Sequence, residues 1–185
     1  MIVRQTTQFL WLLPDAASSA RFGHLIGDLS ARVGAAPFEP HVTLLGSLCA
    51  EAADLIEHTR ALARLIAPFR IAVERPDHSD AYFQCVFLVT ALDGELIAAR
   101  AEAERTFGCA PNSTPFFPHL SLVYGTFDPV IRQQLVESAA CELPTHCAVD
   151  RLQLVEGAPD YRDWRTIETF ALSGTRNPCS QSGRA

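Results

Sequence analysis

Residues 115–124 read PFFPHLSLVY, and residues 37–45 read PFEPHVTLL. The two stretches share the pattern P-F-x-P-H-φ-[S/T]-L-φ, where φ is an aliphatic residue, and they lie 78 positions apart. Each stretch places a histidine two residues before a hydroxyl side chain, inside a short apolar run typical of a β-strand. Because successive side chains on a strand point to opposite faces, the histidine and the hydroxyl share one face. Two such strands brought together would set two imidazoles and two hydroxyls around one substrate.

The repeat extends beyond the two motifs. Shifting the chain by 78 positions places Phe9-Leu10 on Phe87-Leu88 and Asp15 on Asp93, so that strand, helix N-cap, helix, loop and motif strand recur without a gap. One duplicated unit indicates two lobes related by a pseudo-two-fold axis. We therefore predict an α+β, bilobal duplicated fold, in which antiparallel sheets of two pseudo-symmetric lobes line a central cleft and the helices lie outside.

Local patterns predict the individual elements. Apolar alternation and β-branched residues predict strands at residues 9–13, 41–45, 69–74, 82–90, 119–124, 147–155 and 165–172. Helical spacing of apolar residues predicts helices at 16–33, 51–66, 95–107 and 129–140, with Asp15, Asp93 and Asp128 before three of them. Residues 75–80 are predicted to form a polar loop. We expect one bilobal domain over residues 1–174 and a disordered tail over 175–185.

Composition narrows the classes of function. The 185 residues are 48% hydrophobic and 19% charged, which is typical of a globular protein. A net charge of −6 argues against a protein that grips long nucleic acid, although a small anionic ligand needs only one local site. The apolar run Phe9–Leu13 ends at Pro14 and is too short for a signal peptide or a membrane span. We expect a cytoplasmic monomer without membrane contact.

The six cysteines show no C-x-x-C motif and no paired Cys/His spacing. Free thiols are therefore expected, with a Cys141–Cys147 bridge left open.

The duplicated polar pair predicts the chemistry. Histidine can act as a base or an acid near pH 7, so His41 and His119 together can deprotonate a water and protonate a leaving oxygen. The hydroxyls of Thr43 and Ser121 can donate hydrogen bonds to phosphate oxygens, where charge builds up in the transition state. Neither motif offers a further Asp, Glu or Cys ligand at strand spacing, so we expect neither a metal nor a cofactor. The set suits metal-free hydrolysis of a phosphodiester.

Longer stretches around these residues carry a family resemblance. They read W-x-L-P at 11–14, F-E-P-H-V-T at 38–43, F-Q-C-V-F-L at 83–88 and S-T-P-F-x-P-H-L-S-L-x-Y-G at 113–125. Through them the chain resembles the cyclic phosphodiesterase family of the two-histidine (2H) phosphoesterase superfamily, over nearly its whole length to about Gly174.

The resemblance implies a bilobal α+β fold with a water-filled cleft. It also implies hydrolysis of 2′,3′-cyclic nucleotides to 2′-phosphates, and of ADP-ribose 1″,2″-cyclic phosphate to the 1″-phosphate. By this resemblance His41 and His119 match the family's catalytic histidines, Thr43 and Ser121 its phosphate-binding hydroxyls, and Tyr124 its cleft tyrosine. The implied partner is a small cyclic nucleotide or ADP-ribose cyclic phosphate.

Aromatic side chains are further candidates for binding. Trp11, Phe83 and Tyr124 could stack on a base or a ribose, with ordinary core packing as the alternative for each. Strict alternation turns Tyr124 away from the face of His119 unless a bulge shifts the register. Trp164 is predicted to be a surface or inter-strand plug. No arginine lies beside either motif to bind a second phosphate, which leaves the choice between mononucleotide and ADP-ribose substrates open.

Two alternative functions remain open at this point. One is a phosphodiesterase acting on RNA ends or on 2′–5′ linked oligonucleotides, and the other is a non-catalytic nucleotide-binding module. The motifs are nearly equivalent, so the sequence does not assign the base and the acid between the two histidines.

Overall fold

A computed structural model describes residues 7–109, 115–141 and 143–175 of the chain. The predicted tail, apart from Thr175, lies outside these residues. Within them, helices and strands alternate along most of the chain. The strands are β1 (Gln8–Pro14), β2 (Val42–Leu48), β3 (Phe69–His78), β4 (Val86–Thr90), β5 (His119–Val123), β6 (His146–Glu156) and β7 (Arg165–Ala171). The helices are α1 (Ala16–Val33), α2 (Ala52–Leu65), α3 (Gly94–Phe107) and α4 (Pro129–Ala140).

The helix ends follow from local chemistry. Asp15 accepts a hydrogen bond from the Ser18 backbone N–H at the start of α1, and Asp93 accepts one from Leu96 at the start of α3. Gly34 and Gly108 end these two helices with φ of 67° and 61°, a left-handed conformation that glycine adopts without a steric cost. The predicted α+β class and the bounds of α1 are confirmed.

The strands are antiparallel and run in the order β1-β2-β5-β4-β3-β6-β7. A further pairing of β1 with β6 joins the ends of this order, so six strands form a closed circuit of neighbours, with β7 added to β6. The first copy supplies β1, β2 and β3, and the second supplies β4, β5 and β6. Each copy contributes its third strand to the strands of the other copy. Strand β3 of the first copy pairs with β4 of the second, and β6 of the second copy pairs with β1 of the first.

The helices keep the same two-fold relation. Helix α1 packs on α4, and α3 packs on α2, so the first helix of each copy contacts the second helix of the other. Between helices and strands lies a continuous apolar core that includes Leu10, Val42, Leu44, Leu120 and Leu122. The last four alternate with the motif histidines and hydroxyls along β2 and β5, so they point to the opposite face of the sheet. A smaller apolar group on the opposite face of the sheet contains Trp11, Leu13 and Val155.

Two local predictions are wrong. Residues 75–80 do not form a loop as a whole, because β3 continues to His78 and pairs there with Phe87 and Val86 of β4. Pro76 is tolerated because β6 pairs only with Phe69–Ala72, so that, among the described residues, the later part of β3 has one unpaired edge.

The strand predicted at 82–90 begins only at Val86, because Tyr82–Gln84 form a 3₁₀ turn. The Cys141–Cys147 bridge that the sequence left open is absent, because both thiols are free, as expected. Within the described residues, no helix is both long and apolar enough to cross a lipid bilayer.

Candidate active site

The two motif strands meet on the pseudo-two-fold axis. Val42 of β2 pairs with Leu120 of β5, and these residues occupy equivalent positions 78 apart in the two copies. Both side chains are fully buried in the core. The flanking residues of each strand therefore point to the opposite face, and continuing this antiparallel register places His41 opposite Ser121 and Thr43 opposite His119. The fold brings both polar pairs to one place.

That place is a cleft of about 340 Å³. Its walls come from both copies and from the segment before β7. They comprise Phe9, Trp11, His41, Thr43, Gly46, Ala81, Tyr82, Phe83, Gln84, His119, Ser121, Tyr124 and Trp164. All seven predicted site residues line this one cleft.

Three contacts hold the imidazole ring of His41 in place. Its Nδ1 lies 2.7 Å from the carbonyl oxygen of Glu39, its ring stacks on Trp11 with centroids 3.6 Å apart, and its Nε2 lies 3.4 Å from the Tyr124 hydroxyl. A carbonyl oxygen only accepts, so Nδ1 carries the proton of the neutral ring and Nε2 presents a lone pair to the cleft. Pro40 fixes φ between the carbonyl and the ring, which preorganises this contact.

His119 repeats the arrangement with different neighbours. Its Nδ1 donates to the carbonyl oxygen of Phe117 at 3.0 Å, again across a proline, Pro118. Its Nε2 accepts from the side-chain amide of Gln84 at 3.3 Å. The ring is only partly buried, and Phe117 stacks against it with centroids 5.7 Å apart. Both motifs therefore orient the imidazole through the same backbone bond and leave Nε2 facing the cleft.

Burial sets the protonation of both rings. Desolvation lowers the pKa of His41 to about 4, against a smaller raising effect of the Glu39 carbonyl, and the nearby His119 lowers it slightly further. Burial also lowers the pKa of His119, partly offset by its bond to the Phe117 carbonyl. The neutral form of both histidines therefore predominates at pH 7.

A bulge in β5 brings Tyr124 into the cleft. Val86 pairs with Val123 and Phe87 pairs with Ser121, so Leu122 is an extra residue in the ladder. Leu122 and Val123 both point into the core, and the next side chain, Tyr124, turns to the cleft. Burial raises the pKa of the Tyr124 phenol. The direction that strict alternation predicts for Tyr124 is therefore wrong, and the shifted register is the reason.

The two hydroxyls differ in their present partners. Ser121 is buried and its Oγ donates to the carbonyl oxygen of Phe83 at 2.9 Å. Thr43 is half-buried, and its side chain lines the cleft. Its cross-strand partner is Trp11 of β1. A ligand oxygen can take over the Ser121 proton only by replacing the Phe83 carbonyl.

The aromatic candidates lie at the cleft, each in a different way. Trp11 is buried with its face against His41, and Phe83 is 41% exposed on the 3₁₀ turn. Tyr124 stacks on Phe38 with centroids 3.9 Å apart. Trp164, predicted as a surface or inter-strand plug, is partly buried and borders the cleft, and its ring centroid lies 5.3 Å from that of Phe83.

Sequence reasoning missed two residues of the site. Gln84 reaches His119 from the 3₁₀ turn, and its only sequence signal is its place in the F-Q-C-V-F-L stretch. Arg162 borders a small cavity that also touches His41, although it lies far along the chain from both motifs. Across residues 7–109, 115–141 and 143–175, no group of three His, Cys, Asp or Glu side chains is placed to hold a metal ion.

Comparisons with known proteins agree on one family. A model of the 2′-5′ RNA ligase superfamily matches residues 14–160. A protein of Arabidopsis thaliana named cyclic phosphodiesterase is 30% identical over 122 residues, which cover 66% of this chain and 67% of that protein.

Solved structures give the same picture at the level of the fold. E. coli LigT in apo form has a TM-score of 0.60 at 16% identity and covers 91% of this chain and 98% of its own. The protein TT0787 of Thermus thermophilus has a TM-score of 0.58 at 22% identity and covers 92% of this chain and 100% of its own. At such identities the likeness shows a shared architecture.

Proposed function

Because the chain belongs to the 2′-5′ RNA ligase superfamily, the family of two-histidine phosphoesterases, we propose that it is a metal-independent cyclic phosphodiesterase. It opens nucleoside 2′,3′-cyclic phosphates to 2′-phosphates and ADP-ribose 1″,2″-cyclic phosphate to the 1″-phosphate. The catalytic pair is His41 and His119, and Thr43 and Ser121 bind the phosphate.

One observation carries this proposal. Each of the two imidazoles is fixed by a backbone carbonyl two residues earlier, at 2.7 Å for His41 and 3.0 Å for His119, and each turns Nε2 to the same cleft. A hydroxyl from the opposite strand lies next to each ring by register. Binding modules have no need of two oriented proton carriers, whereas an in-line displacement at phosphorus needs a base on one side and an acid on the other.

The reaction follows from this arrangement. One neutral histidine takes a proton from a water molecule as the water oxygen forms a bond to phosphorus. The P–O3′ bond breaks, and the other histidine, in its protonated form, delivers a proton to the leaving O3′. The hydroxyls of Thr43 and Ser121 donate hydrogen bonds to the two non-bridging oxygens, which gain charge in the transition state. Water and a cyclic diester thus give a 2′-monoester and a free 3′-hydroxyl.

The low pKa of the histidines also bears on the mechanism. An anionic phosphate bound between the rings favours the imidazolium form, so binding raises the pKa of whichever ring lies nearer to it. One ring therefore stays neutral as the base, and the bound substrate anion favours the uptake of a proton from solvent by the other ring.

Relatives support the substrate class. The Arabidopsis relative bears the name cyclic phosphodiesterase, and E. coli LigT has been crystallised with 3′-AMP, with phosphate and with ATP. Small nucleotides and phosphate are the ligands that a cleft of about 340 Å³ can hold.

Phosphorus NMR on 2′,3′-cyclic AMP incubated with the protein in EDTA tests the proposal. We expect the 2′-phosphate as the product, with no loss of rate on chelation. His41→Ala and His119→Ala serve as matched controls for a contaminating activity. Tight binding without turnover at any pH would reassign the protein as a binding module, and a 3′-phosphate product would contradict the assigned leaving oxygen.

A further inference from the structure

A second, larger cavity adjoins the catalytic cleft. It measures about 1000 Å³, against about 340 Å³ for the cleft itself, and the two share the rings of Phe9, Phe83 and Trp164. The shared rings make one open surface that leads away from the histidines. A nucleoside cyclic phosphate fills a few hundred Å³ at most, so a substrate of that size leaves the larger cavity empty.

One wall of this cavity is aromatic and consists of Phe9, Phe83 and Trp164. Trp164 lies 5.3 Å from Phe9 and 5.3 Å from Phe83, with interplanar angles of 33° and 32°. The indole N–H of Trp164 is already donated to the carbonyl oxygen of Ala158 at 2.8 Å. That bond fixes the orientation of the ring and leaves its π surface as the part available to a ligand.

The turn at Gly157 packs tightly against the Phe9 ring of this wall. A Cβ atom at Gly157 would lie 2.4 Å from the Phe9 ring, so only glycine lets the backbone approach this far. The Gly157 backbone N–H donates to the Thr7 carbonyl at 2.8 Å, which fixes the turn to the start of β1. The wall is thus supported from behind before any ligand binds.

Within the described part of the chain, the rim carries no uncompensated positive charge. Arg162 forms an ion pair with Asp160 and Arg165 forms one with Glu156, while Asp163 adds a further carboxylate. A rim of this kind does not attract a polyphosphate, because a nearby carboxylate compensates the charge of each guanidinium. A flat, neutral, polarisable ring suits it better, since every nucleobase presents a π face that stacks on aromatic side chains.

From the position, size, aromatic wall and compensated arginines of this cavity, we propose that it binds a nucleobase that lies beyond the ribose cyclic phosphate. This rests on the proposed function and deepens it: the preferred substrate carries a ribose cyclic phosphate in the cleft and, through a short linker, a further nucleoside whose base lies against Trp164 and Phe83. A phosphodiester-linked dinucleotide and a pyrophosphate-linked nucleotide share this chemistry.

Steady-state kinetics on matched substrates test the site. The substrates are 2′,3′-cyclic AMP, the dinucleotide ApA with a terminal 2′,3′-cyclic phosphate, the same dinucleotide without the 5′ base, and ADP-ribose 1″,2″-cyclic phosphate. We expect kcat/KM for the complete dinucleotide to exceed that for cyclic AMP by roughly five- to hundredfold, the range that stacking of one base supports. The abasic dinucleotide should fall back to the level of cyclic AMP. The fourth substrate shows whether a pyrophosphate linker reaches the same wall.

Variants then assign the effect to the wall. Trp164→Ala should bring the dinucleotide-to-mononucleotide ratio of kcat/KM close to one, and Trp164→Phe should retain most of it. Arg105→Ala, at an exposed position of α3 outside both cavities, should leave the ratio unchanged. The ratio is independent of the folded fraction, since both substrates report on the same sample. Equal kcat/KM for the two substrates in the unaltered protein would overturn the second site while leaving the proposed function intact. Absence of turnover on all four substrates would instead refute the proposed function.

Discussion

The two halves of the site hold their histidines in the same way and surround them differently. Nδ1 of His41 and Nδ1 of His119 each donate to the carbonyl oxygen that precedes a proline. Around that common feature, His41 is 5% exposed and lies beneath an indole, whereas His119 is half-buried and faces the cleft mouth. Duplication has kept the presentation of the ring and has let its surroundings diverge.

Two exchanges of side chain produce the difference. The position equivalent to Trp11 in the second copy is Val89, the cross-strand partner of His119. The small Val89 side chain cannot cover the imidazole of His119. The position equivalent to Tyr124 in the first copy is Gly46, so the Tyr124 phenol contacts His41 while Gly46 offers no equivalent phenol to His119. The comparison teaches that the orientation of each ring is coded in its motif, while its pKa is set by residues outside the motif.

Replacing either histidine should produce the largest effect. His41→Ala and His119→Ala should each lower kcat by about 10²–10⁴-fold, because each removes one proton transfer. The double variant should be little worse than the single ones, since the two rings act as a unit. Initial rates on 2′,3′-cyclic AMP measure all three. Near-full activity in either single variant would show that the two halves are not both catalytic.

The buried half should dominate the dependence of stability on pH. The pKa of His41 is lowered from 6.5 to about 4 by burial, so unfolding takes up a proton between these two values. The free energy of unfolding therefore falls as the pH falls through this window, by on the order of 3 kcal/mol for a shift of this size.

Urea denaturation between pH 4 and pH 7 measures this effect. His41→Gln should remove much of the slope, and His119→Gln should remove less, because His119 is less buried. A slope unchanged in His41→Gln would show that burial of this ring does not control the acid sensitivity.

The hydroxyls should give intermediate effects. Thr43→Ala and Ser121→Ala should each lower kcat/KM by about tenfold to hundredfold, the range for hydrogen bonds to a charged group. Thr43→Ser and Ser121→Thr keep the hydroxyl and serve as controls. We expect the loss to be smaller for Ser121, because its proton must first leave the Phe83 carbonyl, 2.9 Å away. Equal activity of the alanine and hydroxyl variants at both positions would exclude phosphate binding by these groups.

The polar contacts at Nε2 should give the smallest effects. The Tyr124 hydroxyl lies 3.4 Å from His41 Nε2, and the Gln84 amide lies 3.3 Å from His119 Nε2. Both donate to the neutral ring, so removing either donor raises the pKa of its histidine. Tyr124→Phe and Gln84→Leu should each move one limb of the pH profile of kcat/KM upward by a fraction of a unit. A change in rate without any shift of the profile would mean that these side chains act on the substrate instead.

The fold could be predicted from the sequence because the patterns that mark its helices and strands are local. The N-cap Asp15 and the terminal Gly34 bound α1 without help from tertiary structure, and the paired motifs located four polar residues in one cleft. Prediction from the sequence failed where a residue's position depends on a distant partner. The extension of β3 past Pro76 depends on β4, and the cleft position of Tyr124 depends on one bulge in β5. The places of Gln84 and Trp164 follow only from the folded chain.

The exchange of third strands has a consequence for how such a chain is made. A peptide that ended after β3 would have no partner for β3 within itself and would leave one edge of β1 open, because β4 and β6 belong to the second half. Two copies of that half-length peptide could close each other's sheets, so the symmetry is that of a homodimer fused into one polypeptide. In the fused chain, β1 cannot complete its pairing until the ribosome has synthesised residues up to Glu156. The strand edges of the first half therefore stay exposed during this part of translation.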